Sequence, residues 1–243
     1  MKHRAVKDAL YETWAETAHA LASPRRVELL DILSQSERTV EALAREAALT
    51  VNNTSSHLKV LKAARLVETR KEAQFVFYRV ADDAVVSLLG SIQEVARRRR
   101  HEVNRLAEVY LEGRDKLEPI EAPELRRRLK NGDVTLIDVR PALEYEAGHI
   151  AGALSVPLDE LNSRLREIPK DRPVVAYCRG LYCVLAVDAV ERLRTRGYEA
   201  RRFADGLPMW RVAGWPVVAG PQVHRTTRRP RRAHASRKPR RIK

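Results

Sequence analysis

Thr50-Val-Asn-Asn-Thr-Ser-Ser-His-Leu-Lys-Val-Leu-Lys-Ala-Ala-Arg-Leu-Val-Glu68 decides the first half of the fold. Within it Val51, Thr54, Leu58 and Leu61 recur at the 3.6-residue period of a helix and mark one inward face. Asn52, Asn53, Ser56 and Lys59 point the other way, with Ser55 and His57 on the flanks. That outer face carries hydrogen-bonding groups and no acid. Asparagine can pair bidentately with adenine, while serine and lysine suit phosphates or base acceptors. A merely solvated helix more often mixes glutamate with lysine, so this pattern points to a helix that reads double-stranded DNA.

Working outward, Thr50 is placed to cap that helix, and Thr39 to cap a shorter one before it with Leu43, Ala44 and Ala47 inward. Two short helices joined by a tight turn at Ala48-Leu49 form a helix-turn-helix. Ser23-Pro24 opens a helix further upstream, a serine N-cap followed by proline at the first helical position. Val27, Leu30 and Leu33 fall on one face of it, and it should end near Ser34. Downstream, Leu66–Thr69 and Phe75–Val80 are β-rich runs separated by residues 70–74. Arg70 and Lys71 make the tip of that hairpin basic, as a wing touching backbone or minor groove would be.

Residues 19–80, from His19-Ala-Leu-Ala-Ser-Pro-Arg-Arg-Val-Glu-Leu-Leu through Thr54-Ser-Ser-His-Leu-Lys-Val-Leu-Lys-Ala-Ala-Arg-Leu-Val, resemble the ArsR-type winged-helix repressors. The resemblance implies a homodimer that binds a DNA operator and loosens when a ligand arrives. It also implies dimer contacts from flanking helices, here Lys7–Ala20 and one continuous helix over Asp82–Leu111. An apolar stripe of Val85, Leu88, Leu89, Ile92, Val95, Val103, Leu106 and Val109 runs along the second. Arg97–Arg100 interrupts it and reads as a solvated face. Many relatives sense metals through cysteines or spaced Asp, His and Glu residues. Residues 1–112 hold no cysteine, and His101 lacks such a set, so no metal and no cofactor are expected.

The second half alternates strands and helices: Val134–Val139, Glu144–Ala147, Leu154–Val156, Leu158–Arg166, Val174–Tyr177, Val184–Arg196 and Arg201–Phe203. That order implies a parallel sheet covered by helices, with ligands bound beyond the carboxyl ends of its strands. Both cysteines of the chain lie at one such end, in Cys178-Arg179-Gly180-Leu181-Tyr182-Cys183. A cysteine before a helix start sees unpaired N–H groups and the positive end of the helix dipole. Successive loop amides can also form a nest for an anion. Both effects, with the charge of Arg179, favour a thiolate or persulfide at Cys178.

Residues 119–219 resemble a rhodanese domain. The resemblance rests on Leu136-Ile-Asp-Val-Arg140, Glu144-Tyr-Glu-Ala-Gly-His-Ile-Ala-Gly-Ala153, the Cys178-Arg179-Gly180 loop, Gly206-Leu-Pro-Met-Trp210 and Gly214-Trp-Pro216. It implies that Cys178 becomes a persulfide and hands its sulfur on. It also implies that Asp138, Arg140, Glu144 and His149 shape the fold and the pocket rim. The sixth loop position, often an arginine that binds thiosulfate in that family, is Cys183 here. Cys183 either resolves a Cys178 persulfide through a bridge or simply seats the helix as a small apolar residue. Val184 in the seventh position cannot grip a tetrahedral oxyanion, which argues for sulfur over phosphate.

The net charge of +14 is uneven. Residues 221–243 hold ten Lys or Arg and no acid, which leaves only +4 for the rest of the chain. Such a tail should be disordered and bind phosphate backbones without reading sequence. Met1-Lys-His-Arg4 is not followed by an apolar segment, and no apolar run approaches the roughly 20 residues of a membrane span. A cytoplasmic protein with no membrane contact is expected, where thiols stay reduced unless chemistry is intended. The expected organisation is a mainly α winged helix-turn-helix over 1–112, a linker at 113–118, an α/β rhodanese-like domain over 119–219 and a basic tail over 220–243.

Two functions stay open. One is a repressor that senses reactive sulfur through persulfidation of Cys178, the donor being polysulfide, thiosulfate or a persulfide. The other is a DNA-tethered sulfurtransferase working through the same persulfide.

Overall fold

The structure is a computed structural model that describes residues 2–110 and 119–222. The expected linker at 113–118, and the expected tail from residue 223 onward, lie outside the described residues.

The first half is α1 (Lys2–Leu21), α2 (Pro24–Gln35), β1 (Arg38–Thr39), α3 (Val40–Glu46), α4 (Val51–Ala63), β2 (Val67–Glu72), β3 (Phe75–Val80), α5 (Asp83–Arg99) and α6 (His101–Tyr110). Both threonine caps form: Thr39 Oγ1 accepts from Ala42 N–H at 3.4 Å and Thr50 Oγ1 from Asn53 N–H at 3.2 Å. Ser23 holds the N-cap position of α2 but makes no side-chain cap bond. Leu29, Leu30, Leu33, Leu43, Leu58 and Leu61 close one core, and Thr54 is buried beside them. Val51, in the first turn of α4, departs from the expected inward face and is 43% exposed.

The wing is tighter than the sequence suggests. β2 runs on to Glu72, and only Ala73-Gln74 turn between the strands, with Ala73 in the left-handed region at φ 51°. The expected long helix over 82–111 is broken. Arg100 is extended, at φ −126° and ψ 104°, and separates α5 from α6. Arg100 N–H closes α5 by donating to Ala96 O, and Arg100 O accepts from Val103 N–H at the start of α6.

The second half contains α7 (Ala122–Asn131), β4 (Thr135–Asp138), α8 (Ala142–Ala147), β5 (His149–Ile150), β6 (Leu154–Ser155), α9 (Leu161–Arg164), β7 (Val174–Tyr177), α10 (Val184–Arg194), β8 (Ala200–Arg202), α11 (Gly206–Val212) and β9 (Val217–Val218). The helix expected over 158–166 shrinks to α9 and a 3-10 turn at Leu165–Glu167. The parallel sheet has the order β6-β4-β7-β8. Its strands are covered on both faces, so alternate residues enter two cores. Val174 and Ala176 pack with Ala189, Val190 and Leu193 of α10. Val175 and Tyr177 pack with Leu125 of α7 and with Leu207 and Trp210 of α11. The sequence reading did not place α7, α11 or the β5–β9 pair.

The two halves touch. Arg211 Nε of α11 lies 2.8 Å from Asp83 Oδ1 at the start of α5, and its Nη2 donates to Ser34 O at 3.3 Å. Gly90 of α5 faces Met209 of α11, whose Sδ would lie 2.9 Å from a Cβ at that position. Among the described residues no helix is long and apolar enough to cross a membrane.

Candidate functional site

β7 is buried along its whole length and delivers the chain to Cys178 at its carboxyl end. The loop then turns, Cys183 N–H donating to Gly180 O at 3.1 Å, and α10 starts at Val184. Gly206, at φ +70°, lets α11 press against the loop. A Cβ there would sit 2.6 Å from Arg179 C and Gly180 N. Leu207 N–H donates to Cys178 O at 3.4 Å from the same side. These contacts fix the loop backbone before any chemistry occurs.

Both cysteines are free thiols. Cys178 is 2% exposed, and its Sγ lies 3.5 Å from Cys183 O and 3.9 Å from Gly180 O. Burial pushes its thiol well up from the usual value, and Cys183 beside it adds to the effect. Cys183 behaves in the opposite way. It occupies the N-cap position of α10, takes a hydrogen bond from Cys178 and receives backbone N–H groups from Arg179 and Leu185. Those contacts outweigh burial and pull its thiol down to about 7. A thiolate is expected at Cys178 from the sequence, but burial there disfavours the anion. The helix terminus instead serves Cys183, because the six-residue loop sets the second sulfur, not the first, at the start of α10.

Arg179 does not point its guanidinium at sulfur alone. Its Nη2 pairs with Glu144 Oε1 at 2.5 Å and with Glu46 Oε1 at 2.7 Å. The side chain of Glu144, at the start of α8, is 1% exposed and also accepts from Arg38 Nη2 at 3.2 Å. Arg38 in turn reaches Glu46 at 3.5 Å. Two arginines and two glutamates therefore form one network whose members come from both halves of the chain. Gln35, at the end of α2, donates from Nε2 to Arg179 O at 3.3 Å and accepts from Arg140 Nη1 at 3.5 Å. Arg140 is fully buried, pairs with Asp138, Nη2–Oδ2 2.6 Å, and donates to Gly148 O at 2.7 Å. His149 is buried and stacks on Tyr145 with centroids 3.6 Å apart. Glu144 was read only as a fold-shaping residue. Its cross-domain partner Arg38 lies 106 residues away, and no local pattern announces it.

Beside the loop lies a cavity of about 720 Å³ between the two halves, lined by Val86, Gly90 and Arg97 on one side and Tyr182, Cys183 and Met209 on the other. Among the described residues no cluster of three or more His, Cys, Asp or Glu stands ready to hold a metal ion.

On α4 the expected outer face is present. Asn52, Asn53, Ser56 and Lys59 are exposed, with Ser55 and His57 half-buried on the flanks. Ser56 Oγ donates to Asn52 O at 3.0 Å, so its hydroxyl is already engaged. In the wing Lys71 is exposed, but Arg70 lies within β2 and pairs with Glu37 and Glu72 while stacking over Phe77 at 4.9 Å. Arg70 is thus a neutralised residue of the wing base and not an open cation at its tip.

Residues 23–69 match the family described as bacterial regulatory protein, arsR family, and residues 121–213 match the rhodanese-like domain. The chain is 44% identical over 221 residues to the HTH-type transcriptional regulator Rv0324 of Mycobacterium tuberculosis, a match covering 89% of this chain and 95% of that protein. It is 40% identical over 76 residues to the nodulation protein NolR of Rhizobium meliloti, covering 31% of this chain and 62% of NolR. It is 36% identical over 102 residues to a sulfurtransferase of Allochromatium vinosum, covering 41% of this chain and 94% of the relative. With one such regulator aligned over nearly the whole of both chains, this chain belongs to the ArsR-family helix-turn-helix transcriptional regulators that carry a C-terminal rhodanese-like domain.

Proposed function

We propose that this regulator is a repressor whose rhodanese-like domain senses reactive sulfur, Cys178 taking up a sulfane sulfur as a persulfide, and that loading lowers operator affinity. The observation that carries the reading is the contact between the cysteine loop and the DNA-binding half: Arg179 pairs with Glu46 at the end of α3, and Gln35 of α2 holds the Arg179 carbonyl. A sulfur atom added at a site as closely packed as Cys178 must displace its neighbours. A ligand shifts an equilibrium only through interactions that differ between two states, and the Arg179–Glu46 pair is an interaction of that kind. α3 leads directly into α4, the helix whose outer face would read the operator.

Uncovered apolar faces support a homodimer: Trp14 of α1, Val95 of α5 and Leu106 and Val109 of α6 are each more than half exposed. A two-fold dimer would present its recognition helices about 34 Å apart to a palindromic site.

A gel-shift with reduced and polysulfide-treated protein on its own promoter tests the reading, the treated protein being expected to bind more weakly. Cys178→Ser should keep DNA binding and lose the response. Release of DNA by polysulfide in that variant would show the sensor site to be wrong. The similarity to the Allochromatium vinosum sulfurtransferase favours a second reading, an enzyme tethered to DNA. Rapid sulfur transfer to cyanide or dithiothreitol with operator binding unchanged would establish it.

A further inference from the structure

We propose that Cys183, not Cys178, is the thiol that meets the sulfur donor, and that the donor is the persulfide of a small organic thiol bound in the interdomain cavity, from which Cys183 passes sulfur to Cys178. This rests on the sulfur-sensing reading and gives that site its order of events and its substrate class.

Access comes first. Cys183 lines the cavity of about 720 Å³, whereas Cys178 is absent from its walls and 2% exposed. A donor arriving from solvent reaches the second sulfur before the first. Size comes next. The volume lies within the roughly 300–1,000 Å³ of pockets that hold organic ligands. It far exceeds the needs of a lone thiosulfate or sulfide, and the loop position that would grip such an oxyanion is itself a thiol. The wall also holds an unsatisfied group: the Tyr182 hydroxyl is buried without a hydrogen-bond partner at the edge of this cavity. A buried hydroxyl left unpaired is destabilising, and a polar atom of an organic ligand would relieve it. Val86, Leu89 and Met209 supply apolar surface for the rest of it.

The chemistry is two exchanges. The Cys183 thiolate attacks the outer sulfur of R–S–SH, a Cys183–S bond forms, the R–S–S bond breaks, and R–S⁻ leaves with the terminal proton staying on the transferred sulfur. Cys178, in direct contact with Cys183, then takes that sulfur. Its Sγ bonds to the outer sulfur, the Cys183–S bond breaks, and the Cys178 proton passes to Cys183. No outside oxidant is needed, because the donor already carries sulfane sulfur. A thiol of low pKa is the better leaving group, so Cys183 at about 7 is suited to hand the sulfur on. Backbone N–H groups of Gly180 and Ala186 point at the Cys178 sulfur and are placed to hold the anionic persulfide there.

The test uses the full-length reduced protein and glutathione persulfide, with thiosulfate in parallel, read by peptide mass spectrometry at early times. Wild type should end with the added sulfur on Cys178, and Cys178→Ser should retain it on Cys183. Cys183→Ser should load at least about ten-fold more slowly than wild type. Wild-type protein titrated with iodoacetamide should alkylate Cys183 before Cys178, which tests access without any substitution. Loading of Cys178 in Cys183→Ser at the wild-type rate overturns the order while leaving sulfur sensing intact. Thiosulfate loading as fast as glutathione persulfide overturns the substrate class. No sulfur on wild type from either donor overturns both this inference and the sensing function beneath it.

Discussion

Arg179 Nη2 stands 2.7 Å from Glu46 Oε1, an ion pair that joins the cysteine loop of the rhodanese-like domain to the last residue of α3 in the DNA-binding half. Both side chains are less than one-third exposed, at 30% and 25%, so solvent screens the pair less than an ordinary surface bridge. Glu144 and Arg38 complete the network and tie it to buried structure on each side. A displacement of Arg179 would break its ion pair with α3.

Glu46→Gln should leave operator binding by the reduced protein nearly unchanged and blunt its response to sulfur. Coupling between sites commonly amounts to about 5–150-fold in affinity, and the variant should retain less than about two-fold. Fluorescence anisotropy on labelled operator, with and without polysulfide, measures the difference.

Glu144→Ala leaves Arg38 and Arg179 without their shared buried carboxylate. Breaking a buried charge pair from one side costs about 3–5 kcal/mol. Urea denaturation of the full chain should show that loss in the unfolding of the rhodanese-like domain, with α4 still folded in the remaining half.

The rate of sulfur loading should follow the Cys183 thiolate. Its folded value of about 7 lies below that of an ordinary cysteine, so thiolate is present above neutrality and disappears as pH falls through that value. Initial loading rates across about pH 6 to about pH 8 should rise with a midpoint near about 7. A midpoint displaced to an ordinary cysteine value of about 8.5 would contradict the N-cap account.

Lys59→Ala should weaken binding to all DNA sequences alike and reduce the salt slope by about 1, the effect of one lost phosphate contact. Asn53→Ala should cost about 1–3 kcal/mol on the preferred site and relax base choice at one position. Arg70→Ala should change affinity little, because Glu37 and Glu72 already neutralise that guanidinium.

Val95→Asp sets a charge into the exposed apolar stripe of α5, where Val95 is 61% exposed in the single chain. Sedimentation equilibrium should show the dimer dissociating, with operator affinity falling alongside. A variant that stays dimeric would place the subunit contact elsewhere.

The recognition helix was legible because its signal is local. Thr50 caps it, Thr54, Leu58 and Leu61 point inward, and Asn52, Asn53 and Lys59 face out. β7 was legible to the residue, Val174–Tyr177, since a fully buried strand between turn-forming residues leaves little freedom. The continuity of the helix over 82–111 was misread because an apolar stripe persists across Arg100 while the backbone does not. α7 and α11 escaped notice for a related reason. They are short, and their burial depends on which strands lie beneath them.

By itself the sequence determined the outer face of α4, the parallel α/β layout of the second half and the loop that carries the two thiols, since these follow from periodicity, capping and alternation along the chain, while the two domain types rested on motif resemblance. Only the tertiary structure decided which thiol its surroundings favour as the anion and what the loop touches. Cys183 owes its lowered pKa to a hydrogen bond from the Cys178 thiol and to the backbone N–H groups of Arg179 and Leu185, and Arg179 meets Glu46 across more than a hundred residues of chain. Electrostatics depends on distance through space and on burial, and a linear sequence specifies neither until the chain has folded.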